Sequence, residues 1–362
     1  MADIFPLILG ILILLASIIS IKTNISITVV EITIGVIIGN LGFFNIESWM
    51  SYIASFGGIL LTFLAGVEID VDLMRDNFKE SFTIGFLSFL IPFLGVFLVT
   101  YFIIGWGLNP SLLTGTALSE TSIAIVYSVL SEKGLFKYKI GKLIMIATFI
   151  TDIFTAIALS VLFTKFDIYT VLFYVVSIII LVIAYYKSDL FFKNELEIKY
   201  VFVLLLGFIF FGSLGGGQAI LPAFILGVVI SKYFKNEIKA KFQTVGFAFI
   251  TPIFFIIGGA KVSIPLIYSC FGIFLVLFVL RQLSKYIGVY YPSKILIKEN
   301  YEYITLMMST GLTFGLVAAV FGLNSSIINQ TQYSLITGIL VLSAILPTFI
   351  AQKYYTPTIC KK

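Results

Sequence analysis

The sequence contains Thr114-Gly-Thr-Ala-Leu-Ser-Glu-Thr-Ser122 and, further along, Ala147-Thr-Phe-Ile-Thr-Asp152. Each stretch lies inside a segment that is long and apolar enough to cross a lipid bilayer, yet each carries polar and acidic side chains. An ionisable side chain at such a depth is costly and is by default a candidate functional residue. We therefore expect the rest of the chain to form a scaffold around the carboxylate of Asp152.

The composition predicts an all-α polytopic membrane protein. The chain has 362 residues, of which 60% are hydrophobic and 11% are charged, whereas soluble domains carry about 25% charged residues. It contains no histidine, and its two cysteines do not form a disulfide framework. Any proton chemistry must therefore use carboxyl groups. We expect a transporter and not an enzyme, with no cofactor and no nucleic-acid partner.

Windows of about 20 apolar residues predict thirteen membrane spans. Their approximate bounds are 4–21, 26–40, 50–67, 80–104, 111–131, 141–164, 168–186, 199–213, 217–232, 241–259, 263–288, 301–321 and 330–352. The first is predicted to be a membrane helix and not a signal peptide, because Asp3 stands where a basic residue would be expected. The thirteen spans form one transporter unit and leave no room for a soluble regulatory domain.

The distribution of basic residues predicts the topology. With thirteen spans, the loops on one side and the C-terminal tail carry 19 of the 23 lysines and arginines. An excess of lysine and arginine marks cytoplasmic loops. We therefore expect a multi-pass protein of the cell membrane, with its N-terminus outside and its C-terminus in the cytoplasm.

Two predicted spans are interrupted by polar residues in a similar way. The fifth contains Ser119-Glu-Thr-Ser122, and the twelfth contains Ser309-Thr-Gly-Leu-Thr-Phe-Gly315. Such a pair in two halves of a chain is typical of transporters with inverted repeats and a site at the membrane midplane. Small and hydroxylated residues also allow close helix packing, but together with Asp152 the pattern favours a transporter.

The sixth span offers a cation site. Thr148, Thr151, Asp152 and Thr155 cluster at helical spacings, and a carboxylate with hydroxyls suits a hard cation such as Na⁺. Burial favours the neutral form of a carboxyl group, so Asp152 could hold either a proton or a cation near neutral pH. A structural ion pair with Arg281 is the alternative for Asp152, and a pair that breaks during transport would satisfy both hypotheses.

Other charges within the spans have less certain roles. Glu120 could be a ligand, a proton site or a partner of Arg281. Glu31 could cap or gate its span or be structural, and we interpret Glu68 and Asp70 as mostly structural.

Six motifs together resemble the sodium/proton antiporters of the cation–proton antiporter superfamily, closest to its NapA-type and Kef-like branch. They are Phe63-Leu-Ala-Gly-Val-Glu-Ile-Asp70, Thr116-Ala-Leu-Ser-Glu-Thr-Ser-Ile-Ala124, Phe149-Ile-Thr-Asp152, Leu221-Pro-Ala-Phe-Ile-Leu-Gly227, Thr251-Pro-Ile-Phe-Phe255 and Ser309-Thr-Gly-Leu-Thr-Phe-Gly315. The resemblance implies an NhaA-like antiporter fold with two crossing broken helices, and a homodimer. It implies a transport core at roughly 50–164 and 241–321 and a dimerisation domain at roughly 4–40, 168–232 and 330–352.

The same resemblance assigns roles to individual residues. Asp152 corresponds to the essential aspartate, and Arg281 falls where the family places a basic partner of the site. The cation or proton would be bound by Asp152 with Thr151, Thr121, Ser122 and Glu120. The broken helices would be supported by Ser119, Thr310, Gly311 and Thr313.

One departure bears on stoichiometry. Related transporters carry Asp-Asp or Asn-Asp where this chain has Thr151-Asp152, and members with one aspartate tend to be electroneutral. Arg281 does not release a proton in proteins, so we expect one cation per proton, although Glu120 could supply a second carboxylate.

The resulting hypothesis is a monovalent cation/proton antiporter that exchanges Na⁺, or Li⁺, for H⁺ by alternating access and serves pH homeostasis. The alternatives are a Kef-like K⁺/H⁺ antiporter or K⁺ efflux protein and a Na⁺-coupled organic solute symporter. An intramembrane aspartyl protease would need a second facing aspartate, and a passive channel would show flux without ion coupling.

Overall fold

A computed structural model describes residues 4–23, 25–42, 45–69, 78–164, 167–193, 196–215, 218–233 and 236–355. Regular structure in these ranges is helical throughout. Ten helical segments are long and apolar enough to cross a membrane, and three shorter apolar helices accompany them in the same ranges. The chain is therefore a multi-pass, all-α membrane protein, as predicted. The predicted role of Asp70 lies outside the described residues.

The helices follow one another with short connections. In chain order they are α1 Phe5–Thr23, α2 Ile27–Asn40, α3 Ser48–Val67, α4 Phe78–Leu98, α5 Leu108–Ser119, α6 Ile123–Glu132, α7 Lys139–Leu162, α8 Ile168–Lys193, α9 Glu197–Gly215, α10 Ile220–Ile230, α11 Asn236–Val245, α12 Thr251–Ala260, α13 Ile264–Ser269, α14 Phe271–Leu296, α15 Tyr301–Met308, α16 Thr313–Asn324 and α17 Gln330–Tyr354. Two π-helical segments, Val99–Ile103 and Gly246–Ile250, extend α4 and join α11 to α12.

Every predicted span contains a helix, and the fifth and twelfth spans are each split in two, as predicted. The largest difference in bounds is in the eleventh span, which was predicted to end at residue 288 but continues as α14 to Leu296. Its last turns are polar but are held by aromatic contacts. Tyr290 stacks on Tyr286 with ring centroids 4.6 Å apart, and the Lys294 ammonium lies 5.6 Å from the centre of the Tyr290 ring.

Internal packing divides the chain into two compact units. The first unit comprises Met1–Asn45, Val71–Thr155 and Phe255–Lys362. Within it, α4 packs along both α14 and α5, and α16 packs on α5 and α17. Helix α17 begins with a capping box, in which the Asn329 side chain accepts from the backbone N–H of Gln332 at 2.9 Å and the Gln332 side chain accepts from that of Asn329 at 3.0 Å. The first unit contains both split spans.

The second unit comprises Ile46–Asp70 and Ala156–Phe254. Its helices α3 and α10 cross at Gly66 and Gly227, where a Cβ on either glycine would overlap the backbone of the opposite helix. Close approach of two helices through small residues is a common packing mode in membranes. An ion pair of 2.8 Å joins Lys241 on α11 to Glu197 at the start of α9.

The predicted transport core and dimerisation domain are defined by how the protein moves and how it assembles. The two units are defined by internal packing alone, and the functional division therefore remains a prediction.

Candidate functional site

Each split span is interrupted by a few residues of extended or irregular backbone. Helix α5 ends at Ser119, Glu120 is extended with φ −68° and ψ 164°, and α6 resumes at Ile123. Helix α15 ends at Met308 and α16 resumes after Leu312, which has φ −158° and ψ −53°. Each break creates two helix ends, and the backbone groups there lack partners from their own helix. In a membrane these groups must be satisfied by other parts of the protein.

The two breaks meet and bond to each other. The backbone N–H of Ser122 donates to the carbonyl of Thr310 at 3.3 Å, and the Thr121 hydroxyl donates to the carbonyl of Met308 at 2.9 Å. The hydroxyls of Ser122 and Thr313 share a hydrogen bond of 2.8 Å. The structure therefore brings the polar residues of the fifth and twelfth spans together in the interior of the first unit.

Arg281 binds both breaks from α14. Its Nη1 donates to the carbonyl of Ser309 at 2.7 Å, and its Nη2 donates to the carbonyl of Glu120 at 3.3 Å. These carbonyls lie at the C-terminal ends of α15 and α5, where a positive charge is favourable. Gly311 lies directly beside this guanidinium, and a Cβ at that position would overlap it. Arg281 thus holds the crossing together.

Lys285, one turn after Arg281, is a second basic side chain in the site. Its Nζ donates to the Thr121 hydroxyl at 2.8 Å and to the Ser88 hydroxyl at 3.0 Å. Asp152 and Glu120 both act electrostatically on this ammonium. The family resemblance predicted Arg281 alone as the basic partner of the site. The i, i+4 spacing, which places both residues on one helix face, is the signal that could have included Lys285.

Asp152 is fully buried on α7, and threonines precede and follow it on the same helix. The hydroxyls of Thr148, Thr151 and Thr155 donate to carbonyls of their own helix at 2.7–2.9 Å. A hydroxyl that donates in this way retains lone pairs that can accept or bind a cation. Thr148 also lies 3.5 Å from the sulfur of Met308, which places this face of α7 beside the second break.

Glu120 is fully buried in the first break. Its carboxylate lies within the electrostatic range of Arg281 and Lys285 and of the backbone N–H groups of Leu312 and Gly315, at the start of α16. The environment of this carboxylate is therefore rich in positive groups.

The remaining predicted support residues have local roles. The Ser119 hydroxyl donates to the carbonyl of Thr116 at 2.9 Å, and the Thr310 hydroxyl donates to that of Met307 at 2.8 Å. Both are buried, and these bonds stay within their own half-helices. By contrast, Gly311 and Thr313 contact the crossing itself, at the Arg281 guanidinium and the Ser122 hydroxyl.

The site thus contains two carboxyl groups, two basic groups and several hydroxyls, all buried within the first unit. If all four groups are ionised, the charges of Asp152 and Glu120 balance those of Arg281 and Lys285. Binding of one monovalent cation or one proton at Asp152 changes the charge of the site by the same amount. The arrangement is therefore suited to exchange of one for the other.

Comparison with known proteins agrees with this chemistry. A family model described as "Sodium/hydrogen exchanger, transmembrane" matches residues 9–352. The "Probable Na(+)/H(+) antiporter 3" of Methanocaldococcus jannaschii is 28% identical over 352 residues, covering 91% of this chain and 90% of that protein. The "Na(+)/H(+)-K(+) antiporter GerN" of Bacillus cereus is 25% identical over 338 residues, covering 87% of this chain and 86% of that protein.

The fold also matches a solved structure. The sodium proton antiporter MjNhaP1 from Methanocaldococcus jannaschii, determined at pH 8, aligns with a TM-score of 0.67 over 96% of this chain and 97% of that chain, at 17% identity. At this identity the likeness concerns the fold, and it confirms the predicted antiporter architecture.

Proposed function

Because the chain belongs to the transmembrane sodium/hydrogen exchanger family, we propose that it exchanges Na⁺ for H⁺ across a membrane. The observation that carries the proposal is the burial of Asp152 beside two crossing helix breaks that supply hydroxyl oxygens. The K⁺/H⁺ and solute symport alternatives have less support, because both relatives described above have Na⁺ and H⁺ antiport in their names, and K⁺ occurs only as an addition in the name of GerN.

Asp152 binds either a sodium ion or a proton, and competition between the two couples their movements. The lone pairs of Thr148 and Thr151 point away from the carbonyls to which their hydroxyls donate, so they can join the Asp152 carboxylate around Na⁺. Thr121 and Ser122 are the proposed ligands from the first break. An ionised Asp152 carboxylate at this depth is energetically unfavourable unless a cation is bound to it. Asp152 therefore releases Na⁺ when it binds H⁺, and the reverse.

Sodium binding requires a rearrangement at Thr121. The Thr121 hydroxyl donates to the carbonyl of Met308, and its oxygen accepts a hydrogen bond from the Lys285 ammonium. For Thr121 to coordinate Na⁺, the ammonium of Lys285 must withdraw from this oxygen. In the proposed cycle, Lys285 therefore binds the Thr121 hydroxyl whenever Na⁺ does not.

The proposed stoichiometry is one Na⁺ per H⁺. Asp152 is the carboxyl group among the hydroxyls of α7, and Arg281 keeps its charge throughout the cycle. If Lys285 also remains charged, the sodium-loaded and proton-loaded sites carry the same charge, and an imposed membrane potential leaves the exchange rate unchanged. A rate that depends steeply on the potential would show that a second group, Glu120 or Lys285, also releases a proton when Na⁺ binds.

The proposed setting is a homodimer in the cell membrane with the C-terminus in the cytoplasm. The support for this orientation is the concentration of 19 of 23 basic residues in one set of loops and the C-terminal tail. Elevator-like movement of a transport core against a dimerisation domain would then expose the site alternately to the two sides.

The decisive test is ion-driven proton movement in liposomes that contain the purified protein. We expect Na⁺ and Li⁺ gradients to drive proton flux over several pH values, and K⁺ and Rb⁺ gradients to drive much less. Equal or stronger flux with K⁺ would favour K⁺/H⁺ exchange. Sodium-dependent uptake of a labelled solute without proton movement would favour symport.

A further inference from the structure

Ser88 is a buried hydroxyl residue to which the sequence analysis gave no role. It lies on α4 and is fully buried, and its oxygen accepts a hydrogen bond of 3.0 Å from the Lys285 ammonium. The same ammonium donates to the Thr121 hydroxyl at 2.8 Å. One buried ammonium is therefore held by two hydroxyl oxygens, of which one belongs to the first break and the other to α4.

Close packing of α4 on α14 keeps Ser88 beside Lys285. A Cβ on Gly288 would lie 2.6 Å from the carbonyl oxygen of Leu87, the residue before Ser88. Gly288 follows Lys285 by three residues and therefore lies on the same face of α14. Small residues let membrane helices approach each other closely, and here the close approach lies directly beside the hydrogen bond. Ser88 therefore stays near the ammonium when the ammonium changes its other partner.

Helix α4 also packs on α7, which carries Asp152. A Cβ on Gly85 would lie 2.6 Å from the carbonyl oxygen of Ala147. Helix α4 thus contacts both the helix of the acid that exchanges the cation and the helix of the base that bonds to Thr121. Ser88 therefore belongs to the wall of the site, although it lies in neither break.

The partners of Lys285 indicate what Na⁺ binding at Thr121 requires. A lysine ammonium has three N–H donors and no acceptor, and a buried donor without a partner is unfavourable. In the proposed cycle Na⁺ takes the Thr121 oxygen, so the ammonium loses one of the two hydroxyls that hold it. Ser88 is the hydroxyl that remains as its acceptor.

We propose that Ser88 is a positioning residue that retains the Lys285 ammonium when Na⁺ replaces that ammonium at Thr121. This inference rests on the proposed exchange of Na⁺ for H⁺. Ser88 does not bind Na⁺ itself. It stabilises the displaced ammonium and thereby determines how readily Na⁺ displaces it.

Removal of the Ser88 hydroxyl should weaken sodium binding. In Ser88→Ala, the ammonium keeps Thr121 as an acceptor while Na⁺ is absent, but it has neither hydroxyl once Na⁺ binds. The substitution therefore disfavours the sodium-bound state more than the sodium-free state. We expect the sodium KM to rise by about tenfold, as for the loss of one hydrogen bond to a charged group. The lithium KM should rise by the same factor, and kcat should stay near the wild-type value.

The experiment measures proton flux driven by Na⁺ and by Li⁺ in proteoliposomes that contain full-length variants. Ser88→Ala is the test variant, and Ser81→Ala is the matched control. Ser81 lies two turns earlier on α4 and is fully buried, and its hydroxyl has no hydrogen-bond partner among the described residues. We expect Ser81→Ala to keep the wild-type KM for both ions.

A double-variant cycle with Lys285 tests whether Ser88 acts through the ammonium. Lys285→Met keeps an unbranched side chain of similar length and removes the ammonium. In this background Ser88→Ala should leave the sodium KM unchanged, because no ammonium remains to be retained. Thermal unfolding of each purified variant checks the fold. If Lys285→Met does not fold, the KM values of Ser88→Ala and Ser81→Ala for Na⁺ and Li⁺ still decide the question.

Several results would overturn the inference. Equal sodium KM values in Ser88→Ala and Ser81→Ala would leave Ser88 without influence on the site, and a lower KM in Ser88→Ala would reverse the expected sign. A rise that persists in Lys285→Met, or that differs between Na⁺ and Li⁺, would make Ser88 a direct ligand. A lower melting temperature with an unchanged KM would make its role purely structural. Failure of the proposed function is distinguishable, because wild type and Ser81→Ala would then lack sodium-driven proton flux as well.

Discussion

The two helix breaks each interrupt one membrane span, but they carry different side chains. In the first, α5 is followed by Glu120, Thr121 and Ser122 before α6, so the break contains a carboxylate and two hydroxyls. In the second, α15 is followed by residues 309–312 before α16, and these residues contribute two hydroxyls, a glycine and a leucine but no charge. Hydrogen bonds join the two breaks at their crossing.

The charges of the site are divided in the same way. Both acids, Glu120 and Asp152, come from the first half of the chain, on either side of the loop between α6 and α7. Both bases, Arg281 and Lys285, come from α14, which is followed by α15 and then by the second break. Each half therefore contributes one broken span to the site, and the two halves contribute opposite charges. The same type of substitution in the first and in the second break should consequently have unequal effects on exchange.

The largest effect is expected at Asp152, the acid of α7, which has no counterpart in the second half of the chain. Asp152→Asn should abolish sodium-driven proton flux in liposomes, because the amide cannot exchange a proton for a cation. Asn occupies nearly the same volume, so the purified variant should keep a wild-type melting temperature. Retained exchange at the wild-type rate would contradict the assignment of Asp152 and, with it, the proposed mechanism.

The next effect concerns the glycine of the second break. A Cβ in Gly311→Ala would overlap Arg281 and lie 3.2 Å from the carbonyl of Glu120. Overpacking of this kind typically costs about 1–3 kcal/mol, so we expect a lower melting temperature together with a loss of exchange of more than about tenfold.

Gly272→Ala is the matched control for this substitution. Gly272 lies on α14, the helix that carries Arg281, and nothing lies within 4 Å of its added Cβ. Equal behaviour of the two alanine variants would show that the contact between Gly311 and Arg281 does not constrain the crossing.

Much of this architecture could be predicted from the sequence. The hydropathy pattern gave thirteen spans because each must bury about 20 apolar residues in lipid. The splits in the fifth and twelfth spans were predicted because Ser119 to Ser122 and Ser309 to Gly311 are polar or small residues within otherwise apolar segments. These signals depend on local composition, which a sequence displays directly.

The geometry of the site was less predictable. Arg281 was predicted as the basic partner of the site, with an ion pair to Asp152 or Glu120 as alternatives, and the sequence did not indicate that it donates to the backbone carbonyls of Glu120 and Ser309. Lys285 received no role, although it contacts Thr121 and lies within the electrostatic range of Asp152. Which base faces which acid depends on how α14 is rotated against the crossing, and tertiary packing sets that rotation. The ligand roles themselves remain predictions.

An intermediate effect is expected at Lys285. Removal of this base should change the affinity of the site for cations in the opposite direction to removal of an acid. Lys285→Gln removes one positive charge near Asp152, so Na⁺ and H⁺ should both be bound more tightly. We expect a sodium KM several-fold lower and an acid limb displaced to higher pH, since a unit charge at this range changes binding by about tenfold. Product release should slow, and kcat should fall. Measurement over a pH series checks both changes, and a higher sodium KM with an acid limb displaced to lower pH would contradict the charge assignment.

The smallest effect compares one threonine from each break. The Thr121 hydroxyl bonds across the crossing to Met308 and to Lys285, whereas the Thr310 hydroxyl bonds only within its own half-helix among the bonds described. Valine replaces the hydroxyl with a methyl group of similar size in each case. Loss of a hydrogen bond in the interior costs about 1 kcal/mol, so Thr121→Val should raise the sodium KM about fivefold and Thr310→Val should leave it within about twofold. Flux titrations with Na⁺ on both variants measure the difference. A larger effect at Thr310 would mean that the second break, and not the first, supplies the hydroxyl ligand, and that the asymmetry of charge does not extend to sodium coordination.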